Sequence, residues 1–394
     1  MKRSVYADNA ATTPVSREVI DAMAPVFAES WGNPSSLHSK GREAKSLLDD
    51  ARARIAATLG CDASEIYFTS CGTESDNWAI RGALSRMKAK GRTHIVTTKI
   101  EHHAVLYTCA ALEREGYEVT YVGVDEYGTV DLDELRAAVT ERTALVAVMY
   151  ANNEIGTVEP IAEIAEIAHS KGAWMFTDAV QAVGNLPIDL SKLPVDMLAL
   201  SGHKIHAPKG IGALFIRRGV AIGNLIEGGG QEKRRRGGTE NLPYIVGLAK
   251  AMEIANDRIK DLPRVAKMRD RLIEGLTKIP YSKLNGHPEN RLAGNVNIGF
   301  EFIEGESLLL WLDIAGIQAS TGSACSSASL EPSHVLLATG VPHEKAHGSL
   351  RLSITHETTD EDIDYILENV PPIVEKLRAM SPLWEDVVKA QKKQ

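Results

Sequence analysis

Cysteine is scarce. The 394 residues include 4, and Cys61, Cys71, Cys109 and Cys325 form no Cys-x-x-Cys pair. That spacing argues against a disulfide framework or a structural zinc site, and free thiols fit a reducing compartment. Long apolar runs are missing too: nothing approaches the ~20 continuous residues of a membrane helix, and the opening Met-Lys-Arg-Ser-Val-Tyr-Ala-Asp-Asn has no apolar signal core. A cytoplasmic protein is expected. Basic charge is not in excess, with 44 Lys+Arg against 52 Asp+Glu and a net charge of −8. This balance points away from nucleic acid and anionic membranes as partners. No internal repeat or low-complexity tract is present.

What the chain does have is length and pattern. It exceeds the ~150 residues of a single domain, so one large and one small domain are expected. The boundaries read as 13–255 for the large domain, with 1–12 and 256–394 forming the small one. From Ala51 to Ile216 short apolar runs alternate with helical periodicity, as in Ile66-Tyr67-Phe68-Thr69, His94-Ile95-Val96-Thr97 and Ala144 to Met149. This predicts an α/β fold with a mostly parallel central sheet covered on both faces. A long helical stretch from Ile245 to Ile279 leads out of the large domain, and a mixed α+β segment follows from Leu284.

The chemically unusual residues gather just after the strand-like runs: Gly72 and Thr73, His102 and His103, Asn152 and Asn153, Asp178 and Gln181, and Ser201 to Lys204. In open parallel sheets ligands bind beyond the carboxyl ends of the strands, so these residues can line one crevice. A lysine and an aspartate at two such ends suit pyridoxal phosphate. The amine forms a Schiff base, and the carboxylate keeps the pyridinium nitrogen protonated. Ser70-Cys71-Gly72-Thr73 joins a strand to a helix whose free N–H groups suit a phosphate. Taken alone, Thr73 reads as a helix cap, His102 and His103 as loop histidines, and Arg234-Arg235-Arg236 as a solvated basic loop. Cys325 stands in a run of small residues, Ser320 to Ser329, which suits a mobile nucleophile and equally a plain surface turn.

The ordered motifs Asp8-Asn-Ala-Ala-Thr-Thr-Pro14, Phe68-Thr-Ser-Cys-Gly-Thr-Glu-Ser-Asp-Asn77, Asn152-Asn-Glu-Ile-Gly156, Thr177-Asp-Ala-Val-Gln181, Ser201-Gly-His-Lys204, Arg236-Gly-Gly-Thr-Glu-Asn241, Gly322-Ser-Ala-Cys325 and Ala346-His-Gly-Ser-Leu-Arg351 span nearly the whole chain. It resembles the cysteine desulfurases of the class V aminotransferase superfamily, the NifS/IscS group. Gly237-Gly238-Thr239-Glu240-Asn241 and Ser329-Leu-Glu-Pro-Ser-His334 lean toward the NifS branch, which serves nitrogenase clusters in nitrogen fixation.

The resemblance implies a pyridoxal-phosphate transferase of fold type I, homodimeric, that turns L-cysteine into L-alanine and passes the sulfur as a Cys325 persulfide to an acceptor, an iron-sulfur scaffold protein. Lys204 would carry the cofactor and move the Cα proton. Asp178 would pair with the ring nitrogen, His102 would stack on the ring, and Gln181 would bond its phenolic oxygen. Gly72, Thr73, Ser201 and His203 would hold the phosphate, with Thr239 reaching over from the second subunit. Asn153 and Arg351 would receive the substrate carboxylate. His102, His103, His203 and His206 lack an acidic or thiol partner at a metal-binding spacing, which leaves Cys325 as the metal-ligating candidate, a transient iron-sulfur ligand shared with a partner. On the same fold, selenocysteine lyase and aminotransferase are the rival activities; an iron-sulfur carrier or scaffold is the rival outside catalysis.

Overall fold

The computed structural model describes residues 3–321 and 332–385. Its strands in chain order are β1 (Val5–Tyr6), β2 (Ile66–Thr69), β3 (His94–Thr98), β4 (Glu118–Val122), β5 (Thr143–Ala147), β6 (Trp174–Asp178), β7 (Met197–Ser201), β8 (Gly212–Ile216), β9 (Ser282–Leu284), β10 (Asn295–Phe300), β11 (Ile317–Gln318) and β12 (Ser349–Ser353). Seven of them form the central sheet in the order β2-β8-β7-β6-β5-β3-β4. The apolar runs that predict these strands are buried on both faces: every residue of β3, β5, β7 and β8 is buried, as parallel sheets require.

One strand breaks the parallel rule. β8 runs antiparallel to both neighbours, β2 and β7. It follows β7 through the short connection 202–211, with no crossover helix to turn the chain back. Gly212 permits its tight seat, because a Cβ there would lie 2.8 Å from the Leu200 carbonyl oxygen and 2.9 Å from the Cys71 carbonyl carbon.

Helices cover both faces. On one, Val19 and Leu48 from helices Arg17–Ala28 and Ser39–Leu59 join Ile245 and Leu248 of helix Leu242–Arg258 in a core against Phe68, Val146 and Leu198. On the other, Trp78, Leu84, Val105 and Leu112 pack against Ile95, Leu145 and Phe176. Burying such side chains is worth roughly 1.5–3 kcal/mol each before chain entropy is subtracted.

A separate core gathers Val265, Leu272, Val296, Ile298, Leu350, Ile366 and Val374 around the sheet β12-β10-β9, and Val5 and Ala7 join it from the start of the chain. β1 reaches it by pairing in parallel with β11. The helical stretch expected from Ile245 to Ile279 is two helices, Leu242–Arg258 and Leu262–Thr277, separated by a 3-10 turn at Ile259–Asp261. Pro263, in the first turn of the second helix, has no N–H to continue the first one's ladder. The chain passes from one core to the other at this turn.

Candidate active site

The carboxyl ends of β2, β3, β5, β6 and β7 open into one cleft. It is lined by Gly72, Thr73, His102, Asn153, Asp178, Gln181, Ser201, His203, Lys204 and Arg351, which places ten of the sequence candidates together. Thr239 is exposed and stands outside this lining. Cys325 lies outside the described residues.

At one end the chain leaves β2, extends through Cys71 and enters helix Gly72–Met87. Cys71 is the N-cap and offers no side-chain hydrogen bond, so the helix entrance is not closed by its own sequence. Thr73 therefore is not the cap its side chain suggests; it occupies the second helical position. The first-turn N–H groups and the helix dipole make this entrance an anion site. Gly72 brings the backbone close: a Cβ there would meet Val180 Cγ2 at 2.8 Å and Ser201 Cβ at 3.5 Å. The Ser201 hydroxyl is buried and has no hydrogen-bond partner. An uncapped helix start beside an orphaned hydroxyl fits the phosphate of pyridoxal phosphate.

The loop carrying Arg234-Arg235-Arg236 departs from its solvated reading. Arg236 donates through Nε and Nη2 to Glu74, at 2.8 and 3.1 Å, and Glu74 also accepts from the Ser70 N–H at 2.8 Å. The arginine pins its loop to the helix entrance, and Glu74 is held below the usual carboxylate range against the opposing effect of burial.

Across the cleft Lys204 lies in a 3-10 turn after β7, its Nζ donating to the carbonyl oxygens of Ala10 and Ala11 at 2.6 and 2.8 Å. Gln181 Nε2 donates to the same Ala10 oxygen at 3.0 Å. Asp178 closes β6 and accepts from the Val180 N–H at 2.9 Å. Burial raises its carboxyl to about 6, with Lys204 pulling the other way. A buried carboxyl at the strand end fits the pyridinium nitrogen, whose positive charge would stabilise the ionised form. His102 caps helix His103–Arg114, its Nδ1 accepting from the Ala104 N–H at 3.1 Å, so the ring proton sits on Nε2. Burial, then Lys204, pushes His102 down to about 4, leaving a neutral flat ring on the cleft wall. His203 is lowered to about 4 for the same two reasons, and its Nδ1 lies 3.2 Å from Thr12 Oγ1.

The third corner belongs to Arg351 on β12, whose side chain is 2 % exposed. Nη1 donates to the Asn153 carbonyl at 3.1 Å and Nη2 to Asp8 Oδ1 at 2.8 Å. Asp8 is a functional neighbour that the sequence reading quoted in a motif but did not single out.

Also unforeseen is a set of buried acids behind the cleft. Asp76 is 1 % exposed and Glu101 fully buried. Glu101 Oε1 accepts from Thr98 Oγ1 and the Met149 N–H, while Oε2 has no partner. Glu154 accepts from the Ser333 hydroxyl at 2.5 Å, fastening the start of helix His334–Ala338. All three stand among polar or charged neighbours in the sequence, which gives no local sign that they are sealed from water. Burial pushes the Cys61 and Cys109 thiols up to about 12, so neither supplies a thiolate near neutral pH. Among the described residues, no group of three or more His, Cys, Asp or Glu side chains could hold a metal ion.

Comparison with known proteins agrees with this geometry. The Aminotransferase class-V family matches residues 5–366. The chain is 59 % identical over 382 residues to "Cysteine desulfurase IscS" of Methanosarcina thermophila, covering 97 % of this chain and 94 % of that one. It is 52 % identical over 393 residues to "Cysteine desulfurase IscS" of Clostridium botulinum strain Hall, covering 99 % of each. Among solved structures, a "NIFS-like protein" superposes with a TM-score of 0.90 at 40 % identity, over 95 % of this chain and all of that one.

Proposed function

From the premise that the chain belongs to the class-V aminotransferase family and is a pyridoxal-phosphate-dependent cysteine desulfurase, we propose how its own residues divide the work. The observation that carries the assignment is the convergence of Lys204, Asp178, His102 and the uncapped helix entrance on one cleft.

Gly72, Thr73, Ser201 and His203 would hold the cofactor phosphate, with Thr239 reaching over from a second subunit. Asp178 would pair with the ring nitrogen, Gln181 with the phenolic oxygen, and His102 would stack on the ring. Bound there, pyridoxal phosphate supplies an electron sink that acidifies the Cα proton of an attached amino acid. Lys204 would anchor the cofactor, and its amine is placed to move that proton. Arg351 takes the L-cysteine carboxylate with its planar fork, oriented by the Asn153 carbonyl. Cys325 attacks the substrate sulfur: an S–S bond forms, the Cβ–S bond breaks, and its electron pair is protonated at Cβ. L-cysteine and an enzyme thiol become L-alanine and an enzyme persulfide, which passes its sulfur to an acceptor protein.

The acceptor we propose is an iron-sulfur scaffold, and the working unit a cytoplasmic homodimer. Thr239 faces outward beyond the cleft of its own chain, and Leu37 and Trp31 are 92 % and 68 % exposed, which supports a covering subunit. No described helix is long and apolar enough to cross a membrane.

The test is alanine and sulfide release from L-cysteine with reductant, comparing the native protein with Cys325→Ala while following the cofactor spectrum. Native product formation with a cofactor-loaded, stalled variant supports the persulfide route. Sulfide at the native rate from the variant removes Cys325 from it and favours a lyase or aminotransferase reading. Iron in the purified protein without a cofactor band favours the carrier reading.

A further inference from the structure

A second cavity shares Ala10, Gln181 and Lys204 with the cleft and lies where the two cores meet. Ile254 and Ala255 border it from the first core, Val265 and Ile354 from the second. Its unusual members are Arg258, His206 and His356.

Arg258 is the last residue of helix Leu242–Arg258, where a basic side chain ordinarily turns to solvent or to the helix carbonyls. Here Nη1 is buried and donates to nothing. A guanidinium N–H buried without an acceptor is unfavourable. His356 Nε2 is likewise buried without a hydrogen bond, and the Glu357 carboxylate stays 3.8 Å from it. The His206 and His356 rings meet edge-on at 5.2 Å. His206 Nδ1 lies 3.0 Å from the Pro14 carbonyl, which can only accept, so this nitrogen carries the ring proton. Arg264 adds a second cation, its Nη2 donating to the His356 carbonyl at 2.5 Å.

We propose that this cavity is a binding site for a small oxyanion, a carboxylate or a phosphate, held by the Arg258 guanidinium and His356 Nε2, on the far side of Gln181 and Lys204 from the substrate and cofactor cleft. A guanidinium N–H and an imidazole nitrogen, both buried without partners at one cavity, are what such a ligand satisfies, and Arg258 and Arg264 make the surrounding field positive. His356 is pushed down to about 4 by burial first and Arg258 next, with Asp261 opposing; Glu18 and Glu357 act against the same trend at His206. An anion here joins the end of the first core's helix to the loop after β12, across the junction of the two cores.

The test is calorimetric titration of the pyridoxal-phosphate-loaded holoenzyme, whose own phosphate site is filled, with inorganic phosphate and separately with acetate, at ionic strength fixed with chloride. Saturable binding of at least one anion is expected, weakened at least tenfold in Arg258→Gln and kept within a few-fold in Arg258→Lys. The anion that binds tells phosphate from carboxylate chemistry. The His356 imidazole should titrate at higher pH with that anion present, read by proton NMR. Should Arg258→Gln lose its cofactor band through misfolding, His356→Gln carries the same comparison. No saturable binding, or binding equal in the native protein and the variants, overturns the proposal.

Discussion

Arg351 and Asp8 stand 343 positions apart in the chain and 2.8 Å apart in the fold, Nη2 to Oδ1. The guanidinium assigned to the substrate carboxylate therefore already has a carboxylate beside it, and the two compete for the same fork. Asp8→Asn keeps the shape and removes the charge. It should lower KM for L-cysteine several-fold, with kcat little changed, and lower stability by about 1–3 kcal/mol. Steady-state kinetics and denaturant unfolding check both parts, and a higher KM refutes the competition.

Gly72→Ala separates helix stability from cofactor binding. Alanine favours a helix by up to ~1 kcal/mol over glycine, yet its Cβ would sit 2.8 Å from Val180 Cγ2 at the phosphate end. The variant should fold and lose pyridoxal phosphate on dialysis, with affinity down about tenfold, or ~1.4 kcal/mol. Retention at the native level would show that this close approach does not matter.

Asp178→Asn should keep cofactor attached through Lys204 but lower kcat by at least ~100-fold, roughly 2.7 kcal/mol in the barrier. An amide cannot hold the ring nitrogen's proton as a carboxylate does. The cofactor absorbance and single-turnover alanine formation, read together, distinguish this from simple loss of binding.

Glu101 gives the protein a pH dependence unrelated to turnover. Burial raises it from its ordinary 4.5 to about 8. Between those values the folded protein holds a proton that the unfolded chain has released, so this contribution is full below about 4.5 and is lost as pH rises toward 8. Glu101→Gln should flatten the fall in unfolding midpoint between pH 5 and pH 8. An unchanged slope would show that Glu101 is not its source.

Much of this architecture was legible because its signals are local. Apolar runs such as Met197 to Leu200, set in an alternation of short runs and helical periodicity, read as buried strands; Asp178 ends its strand and Lys204 follows within a turn of its own. Antiparallel β8 was less so, since direction depends on how the chain turns between 202 and 211 and not on the strand's composition. Asp8 escaped because its importance lies in a distant arginine, and Ala10 and Ala11 because they hold Lys204 through main-chain oxygens, which no side chain advertises. Glu101 and Asp76 looked like ordinary acids; only the packing around them shows that they are sealed from water.

The first dozen residues have a mechanical consequence. Val5 and Ala7 are embedded in the second core, and three residues further on Ala10 and Ala11 grip the Lys204 amine. So short a link has almost no slack. A second thread runs beside it, the Ala10 N–H donating to Ser353 Oγ of β12 at 2.9 Å, so any tilt of the second core should tug on the lysine directly.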